Sequence, residues 1–242
     1  MTALALRRGT VAAVEAAGPA TRLTVDVGGE QRPAISYERL TGTVEPGDDV
    51  VVNVAARDLG LGSGGFDVVH VNLTRGLDGT GAEGAHVMKL NYTSMQHAVH
   101  PVEELAGAGG EQPSLDLPLR KPVAVISLHG QLPCVAWAAA QVTPGLRVGF
   151  VQTAGGALPG ALSDVVRDLL ERDLLAGHVT AAPAFDGDHE AISAPGAIHT
   201  GLTALGWDAC IAGPGPGILG SASRFGPRRP AWHPMATTSG TM

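Results

Sequence analysis

Residues Trp207–Ser221 read WDACIAGPGPGILGS. A short apolar run, Ala209–Ala212, enters Gly213-Pro214-Gly215-Pro216-Gly217 and then Gly220. An apolar run without polar alternation, bounded by turn residues, is the pattern of a strand covered on both faces. Glycine at that density beyond it marks a loop where main chain comes very close to a neighbour. Three earlier runs end the same way: Val123–Leu128 in His129-Gly130, Arg147–Thr153 in Gly155-Gly156, and His178–Phe185 in Asp186-Gly187-Asp188. Parallel strands that deliver permissive loops to one edge are how open α/β domains build ligand sites. A Rossmann-like α/β domain is therefore expected over residues 122–223.

The segments between these runs support it. Leu162–Leu175 has the clearest helical stripe, Leu162, Val165, Val166, Leu169, Leu170 and Leu174, opposite a charged face with possible Arg167/Glu171 and Asp168/Arg172 pairs. Leu132–Ala140 is uncharged and reads as a buried helix with Pro133 in its first turn, and Ile192–Leu205 reads as a third helix. Strands are expected at Val123–Leu128, Arg147–Gln152, His178–Ala182 and Asp208–Ala212. Alternation of this kind implies right-handed crossovers.

Upstream the pattern is all-β. Thr10–Val14, Arg22–Val27, Arg32–Ser36, Asp49–Val54 and Phe66–Asn72 are divided by turn signals such as Gly28-Gly29 and Glu45-Pro46-Gly47-Asp48. Leu23, Val25 and Val27 share one face of the second segment. Five short strands at this spacing make a small barrel of the SH3 or OB kind, here residues 1–80. Residues 81–121 form a connector with a possible strand at Met88–Tyr92, and residues 224–242, with neither period and several prolines, read as an irregular tail.

The net charge of −7 and the few aromatics of the barrel argue against nucleic acid as a partner. No apolar run has membrane-spanning length, and the N-terminus lacks the order of a secretory signal, so a cytoplasmic location is expected. The two cysteines, Cys134 and Cys210, have no metal spacing; their even number allows one disulfide between them, but they read better as two buried, reduced thiols. Only Lys89 and Lys121 of the 16 basic residues are lysine, and glycine, at 34 residues, is about twice its usual share. Both biases fit a genome favouring Gly, Ala, Arg and Pro codons, which lowers the weight of each glycine loop.

HVMKLNYTSMQHAVHPVEE, LHGQLPCVAWAA, VQTAGGALPGALSDVVRDL, AFDGDHEAIS and AGPGPGILGSASRFG span His86 to Phe225. In these stretches the chain resembles a bacterial family of uncharacterised proteins, domain of unknown function 3866. The resemblance implies no activity, and it implies that the quoted loops belong together. After Phe225 the chain departs from the family: Pro227-Arg228-Arg229-Pro230 stands where the family continues with α/β material, as a shortened or altered C-terminus would.

The candidate chemistry lies in the loops. Gly213, Gly215, Gly217 and Gly220 form either an anion cradle of main-chain N–H groups, shortened by Pro214 and Pro216, or a tight strand-exit turn. Asp186, Asp188 and His189, with Glu190, supply either acid–base or ion-binding groups, or a solvated loop in which Asp188 or Ser193 caps the next helix. His129 is a candidate general base or a histidine bonded to nearby main chain. Gln131, Thr153, Gly155 and Gly156 are candidate ligand contacts, with Gln152 beside them. Cys134 is either an activated thiol at a helix start or a small core residue. His97 and His100 share a face and suit a metal ion if helical, but Pro101 favours extended chain there. GxSxG, Walker A, HExxH and CxxC are absent, and no metal or cofactor is specified. The expectation is a cytoplasmic enzyme or binding protein for a small polar metabolite, anionic and phosphorylated ones included. The rivals are a structural or regulatory protein that forms homo-oligomers, and nucleic-acid binding through the barrel.

Overall fold

The structure is a computed structural model that describes residues 3–61, 64–107 and 117–217. The tail and Gly220 lie outside the described residues.

The first unit is a closed barrel of β1 (Leu6–Ala16), β2 (Ala20–Val27), β3 (Glu30–Tyr37), β4 (Asp49–Asn53) and β5 (Asp67–Asn72), in the order β1-β2-β3-β5-β4. Two four-residue helices interrupt it, α1 (Glu38–Thr41) after β3 and α2 (Ala55–Asp58) after β4. β3 and β5 run parallel through Ala34↔Asp67 and Ile35↔Val68, and all other pairs are antiparallel. This order, with one parallel closure, belongs to the OB alternative and not to the wholly antiparallel SH3 one. The alternation expected for Arg22–Val27 holds: Leu23 and Val25 point inward with Val11, Val50, Val52 and Val69, and Val27 packs at the margin. Arg32, itself buried, grips the seam through a fork to Asp67 (2.6 and 3.1 Å) and a further bond to Asp58 at 2.7 Å.

A two-stranded antiparallel hairpin follows, β6 (Val87–Lys89) with β7 (His97–Val99). His97 thus begins a strand, and His100 beyond it bonds through Nε2 to Glu83 O at 3.0 Å, so the two do not share a helical face.

The second unit is a parallel sheet of β8 (Val123–Val125), β9 (Val148–Thr153), β10 (Gly177–Ala181), β11 (His189–Ala191) and β12 (Ala209–Pro214), in the order β11-β10-β9-β12-β8. β9 and β12 are interior strands and nearly wholly buried, as their apolar stretches Val148–Val151 and Ala209–Ala212 require. Helices α3 (Leu132–Val142) and α4 (Asp164–Glu171) cover one face, packing Leu132, Ala136, Val166 and Leu169 on Val148, Phe150 and Ile211. Helix α5 (Ala194–Leu202) covers the other, with Ala197, Leu202 and Trp207 against Val151, Val179 and Cys210. The Trp207 indole fills a slot that only glycine permits. A β-carbon on Gly149 would stand 2.0 Å from it, and one on Gly201 2.3 Å.

Two local expectations are corrected. Helix α3 is not buried throughout: Leu132 and Ala136, one turn apart, face the sheet, whereas Trp137 is 58 % and Val142 84 % exposed. Cys134 lies on the outer face and is exposed; Cys210 is buried, and both are free. Lys121 docks the start of the sheet unit by donating from Nζ to Leu202 O and Trp207 O, both at 2.7 Å.

Candidate functional site

The exit of β8 makes a tight turn because the Gln131 side chain folds back. Its Oε1 accepts the N–H groups of Ser127 (3.0 Å) and Leu128 (3.2 Å). His129 is thereby turned over the sheet edge, and it is 7 % exposed. Its Nδ1 donates to Pro214 O, at the exit of β12, over 3.0 Å. A carbonyl only accepts, so the proton sits on Nδ1 and Nε2 carries the lone pair. Nε2 accepts from the Ser163 hydroxyl at 2.7 Å. Ser163 is the N-cap of α4, and its Oγ in turn accepts Val166 N–H at 3.1 Å. Burial pushes the His129 imidazole below its ordinary pKa, with the bond to Pro214 opposing, so the ring is neutral at pH 7. A hydroxyl, a neutral imidazole and a group that orients that imidazole are the parts of an activated nucleophile.

A second histidine lies behind the first. Phe150 separates them, edge-on to His129 with centroids 5.9 Å apart and stacked on His178 at 5.3 Å. His178 Nε2 donates to Gln152 Oε1 at 3.1 Å, and the Gln152 amide donates to Ala157 O and Leu158 O. Burial, with a smaller contribution from nearby His129, pushes His178 down to about 3, which leaves it an uncharged strut at physiological pH.

The glycines of the two central exit loops close on one another. An added β-carbon on Gly156 would meet Gly215 O at 2.2 Å, one on Gly215 would meet Ala157 O at 2.2 Å, and one on Gly213 would meet Ile126 Cγ1 at 2.3 Å. Ala157 N–H donates to Pro216 O at 2.8 Å across the same seam. Gly155 (φ +117°) and Gly217 (φ +79°) stand exposed on the outer surface of this rim, with Thr153 half-buried beside them.

The acidic loop adjoins the rim through main chain, with Gly160 N–H on Phe185 O (2.7 Å) and Phe185 N–H on Leu158 O (3.1 Å). Its side chains turn elsewhere. Asp188 Oδ2 accepts His178 N–H at 2.9 Å, and His189 opens β11 exposed to solvent. Glu190 is buried and saturated: Oε2 takes Thr180 Oγ1 (2.8 Å) and Lys89 Nζ (2.9 Å), and Oε1 takes Asp186 N–H (2.6 Å) and Arg39 Nη1 (3.1 Å). Lys89 completes its three donors on Thr180 O (2.8 Å) and Ala184 O (2.6 Å). Asp186 sits at φ +69°, unusual for a non-glycine residue, with Oδ1 3.6 Å from Arg39 Nε and Oδ2 buried without a partner. Burial raises its carboxyl to about 6 despite Arg39. Among the described residues no group of three His, Cys, Asp or Glu side chains is placed to hold a metal ion.

The structure therefore splits the expected constellation. His129 joins the exits of β9 and β12, while Asp186 joins Arg39 at the barrel. Ser163, His178, Arg39 and Lys89 were missed in the sequence. Lys89 alone left a signal, as one of two lysines in an arginine-rich chain.

Neither a curated protein nor a solved structure matches the chain. The profile of one family, described as a protein of unknown function (DUF3866), matches residues 33–228, from β3 of the barrel through the whole sheet and beyond the described residues. The match covers most of the chain, and the protein belongs to the DUF3866 family.

Proposed function

We propose that the protein binds a small polar metabolite at the C-terminal rim of its parallel sheet, with His129 as the proton acceptor and Ser163 as the hydroxyl it activates. The observation that carries this reading is the 2.7 Å Ser163–His129 bond, with the tautomer fixed by Pro214. Topology supports it. The order β11-β10-β9-β12 repeats the 3-2-1-4 stretch of the Rossmann-like doubly wound sheet, whose ligands sit at the strand exits where the order reverses. Here that point falls between β9 and β12, where Gly155, Gly156, Gly213, Gly215 and His129 converge. Gly155, Gly217 and Thr153 then supply the outer contacts. Free thiols at Cys134 and Cys210 fit a reducing, cytoplasmic setting. Among the described residues no helix is long and apolar enough to cross a membrane. Nucleic acid fits poorly: Arg8, Arg32 and Arg75 of the barrel are each taken by carboxylates.

The test is a melting and NMR titration of the wild-type protein against hydroxy acids, amides, sugars and their phosphates. A saturable response that disappears in His129→Gln, with the fold retained by circular dichroism, supports the reading. A wild type that answers none of these compounds, or whose response survives His129→Gln and Gly155→Val unchanged, overturns it.

A second reading has its own observation. Val125 on edge strand β8 is 82 % exposed, and Trp137 on the helix that follows is also exposed. Apolar groups at a sheet edge favour a homo-oligomer joined there. Sedimentation of wild type against Val125→Lys decides it: the edge interface predicts a dimer that dissociates in the variant.

A further inference from the structure

The cationic side chain nearest the acidic loop faces an open hollow on its other side. Between the barrel and the turn that leads into β7 lies a cleft of about 410 Å³ whose walls include Arg39, His70, Ser94, Gln96 and His97. Clefts of this size hold small metabolites. We propose that this cleft is a second ligand site, separate from the rim, that takes the oxyanion head group (carboxylate or phosphate) of a small molecule.

Arg39 anchors the cleft. Its position is fixed from behind by two buried carboxylates, Glu190 at 3.1 Å and Asp186 at 3.6 Å, while its own side chain remains 56 % exposed. A guanidinium has five N–H donors in a rigid fork, and the bond to Glu190 uses one of them. Held this way, the fork is preorganised for a bidentate oxyanion and little side-chain freedom remains to be lost on binding. Arg39 and Lys89 together balance the two carboxylates in charge, but the contacts are unequal. Glu190 is matched by Lys89 at 2.9 Å, which leaves Arg39 with the long contact to Asp186.

The imidazoles add to this. His70, on β5, is half-buried and has no hydrogen-bond partner among the described residues. His97 fixes its ring by donating from Nδ1 to Met95 O at 3.1 Å and by an edge contact with Phe185, centroids 5.4 Å apart, so its Nε2 is unused. One guanidinium and two imidazoles with unused ring nitrogens thus share one hollow. N–H donors gathered on one hollow suit the several acceptor oxygens of a carboxylate or phosphate.

Calorimetric titration tests the site, using pyrophosphate and malonate as probes with sodium chloride at matched ionic strength as control. Saturable binding of at least one probe is expected. It should weaken tenfold or more in Arg39→Ala and several-fold in His70→Ala, with His129→Gln unaffected. His70 has no partner to lose, so His70→Ala keeps the test valid if Arg39→Ala folds poorly. Arms with phosphate and carboxylate separate the two kinds of head group. No saturable binding of either probe overturns the proposal. Binding that survives both cleft variants but is lost in His129→Gln also overturns it and assigns the anion to the rim.

Discussion

The hydroxyl of Ser163 and the imidazole of His129 share a 2.7 Å bond although 34 residues separate them in sequence. Ser163 therefore serves two masters, the first turn of α4 and the lone pair of a buried base. Ser163→Ala removes a cap, about 1 kcal/mol, and leaves His129 Nε2 buried without a donor, a further ~1–3 kcal/mol. Ser163→Thr keeps both bonds and should cost well under 1 kcal/mol on the same capping scale. Urea denaturation of the pair checks this; equal stability of the two variants would show that the bond contributes nothing.

Asp186 gives the protein a pH signature. Its folded carboxyl titrates near 6, above an ordinary value of 3.8, so the native state holds its proton more tightly than the unfolded chain. The resulting stability is complete below the unfolded value and is lost as pH rises through about 6. Asp186→Asn stays neutral and tolerates the left-handed backbone. It should be more stable than wild type at pH 7, by at most ~3 kcal/mol on linkage grounds. That advantage should vanish below pH 4, as denaturation at a series of pH values would reveal.

His178 acts in the opposite sense. Its folded pKa, pushed down to about 3 from 6.5, means that the unfolded chain binds the proton first. Stability falls as pH drops below 6.5, by roughly 1.4 kcal/mol per unit until about 3. His178→Gln should flatten this acid limb. An unchanged slope in the variant would remove His178 from the account.

Trp207 and its glycines invite a packing test. Gly149→Ala places a methyl 2.0 Å from the indole and cannot be absorbed by a central strand. The expected loss is about 3 kcal/mol, at the upper end for overpacked cores. Combining it with Trp207→Leu should recover part of that loss, giving a coupling of about 1 kcal/mol or more between the two positions. Additive losses would mean that the indole moves aside freely.

Most of the fold was legible in the sequence, and the reasons are local. Arg22–Val27 alternates and is bounded by Gly28-Gly29, while the stripe of α4 fixes its buried face. Strand β11 was not legible, because His-Glu-Ala carries no β pattern; it forms because Lys89 and Thr180 hold Glu190 beside β10. The acidic loop was expected on the rim since it follows a strand. A turn with Ala184 N–H on Ala181 O at 2.9 Å instead sends the chain back along β10, until Asp188 reaches the amide of His178. His129 was legible from its place after a strand. Ser163 resembled any helix cap, since nothing local announces a partner on another loop.

Lys89 ties the hairpin to the parallel sheet. Its ammonium is 1 % exposed and spends all three protons on oxygens from β10, its exit loop and β11, while its own main chain belongs to the hairpin. Succinimidyl esters should leave this amine untouched until the hairpin lifts away from the sheet. The rate at which Lys89 becomes acylated is then a direct clock for separation of these two parts of the molecule.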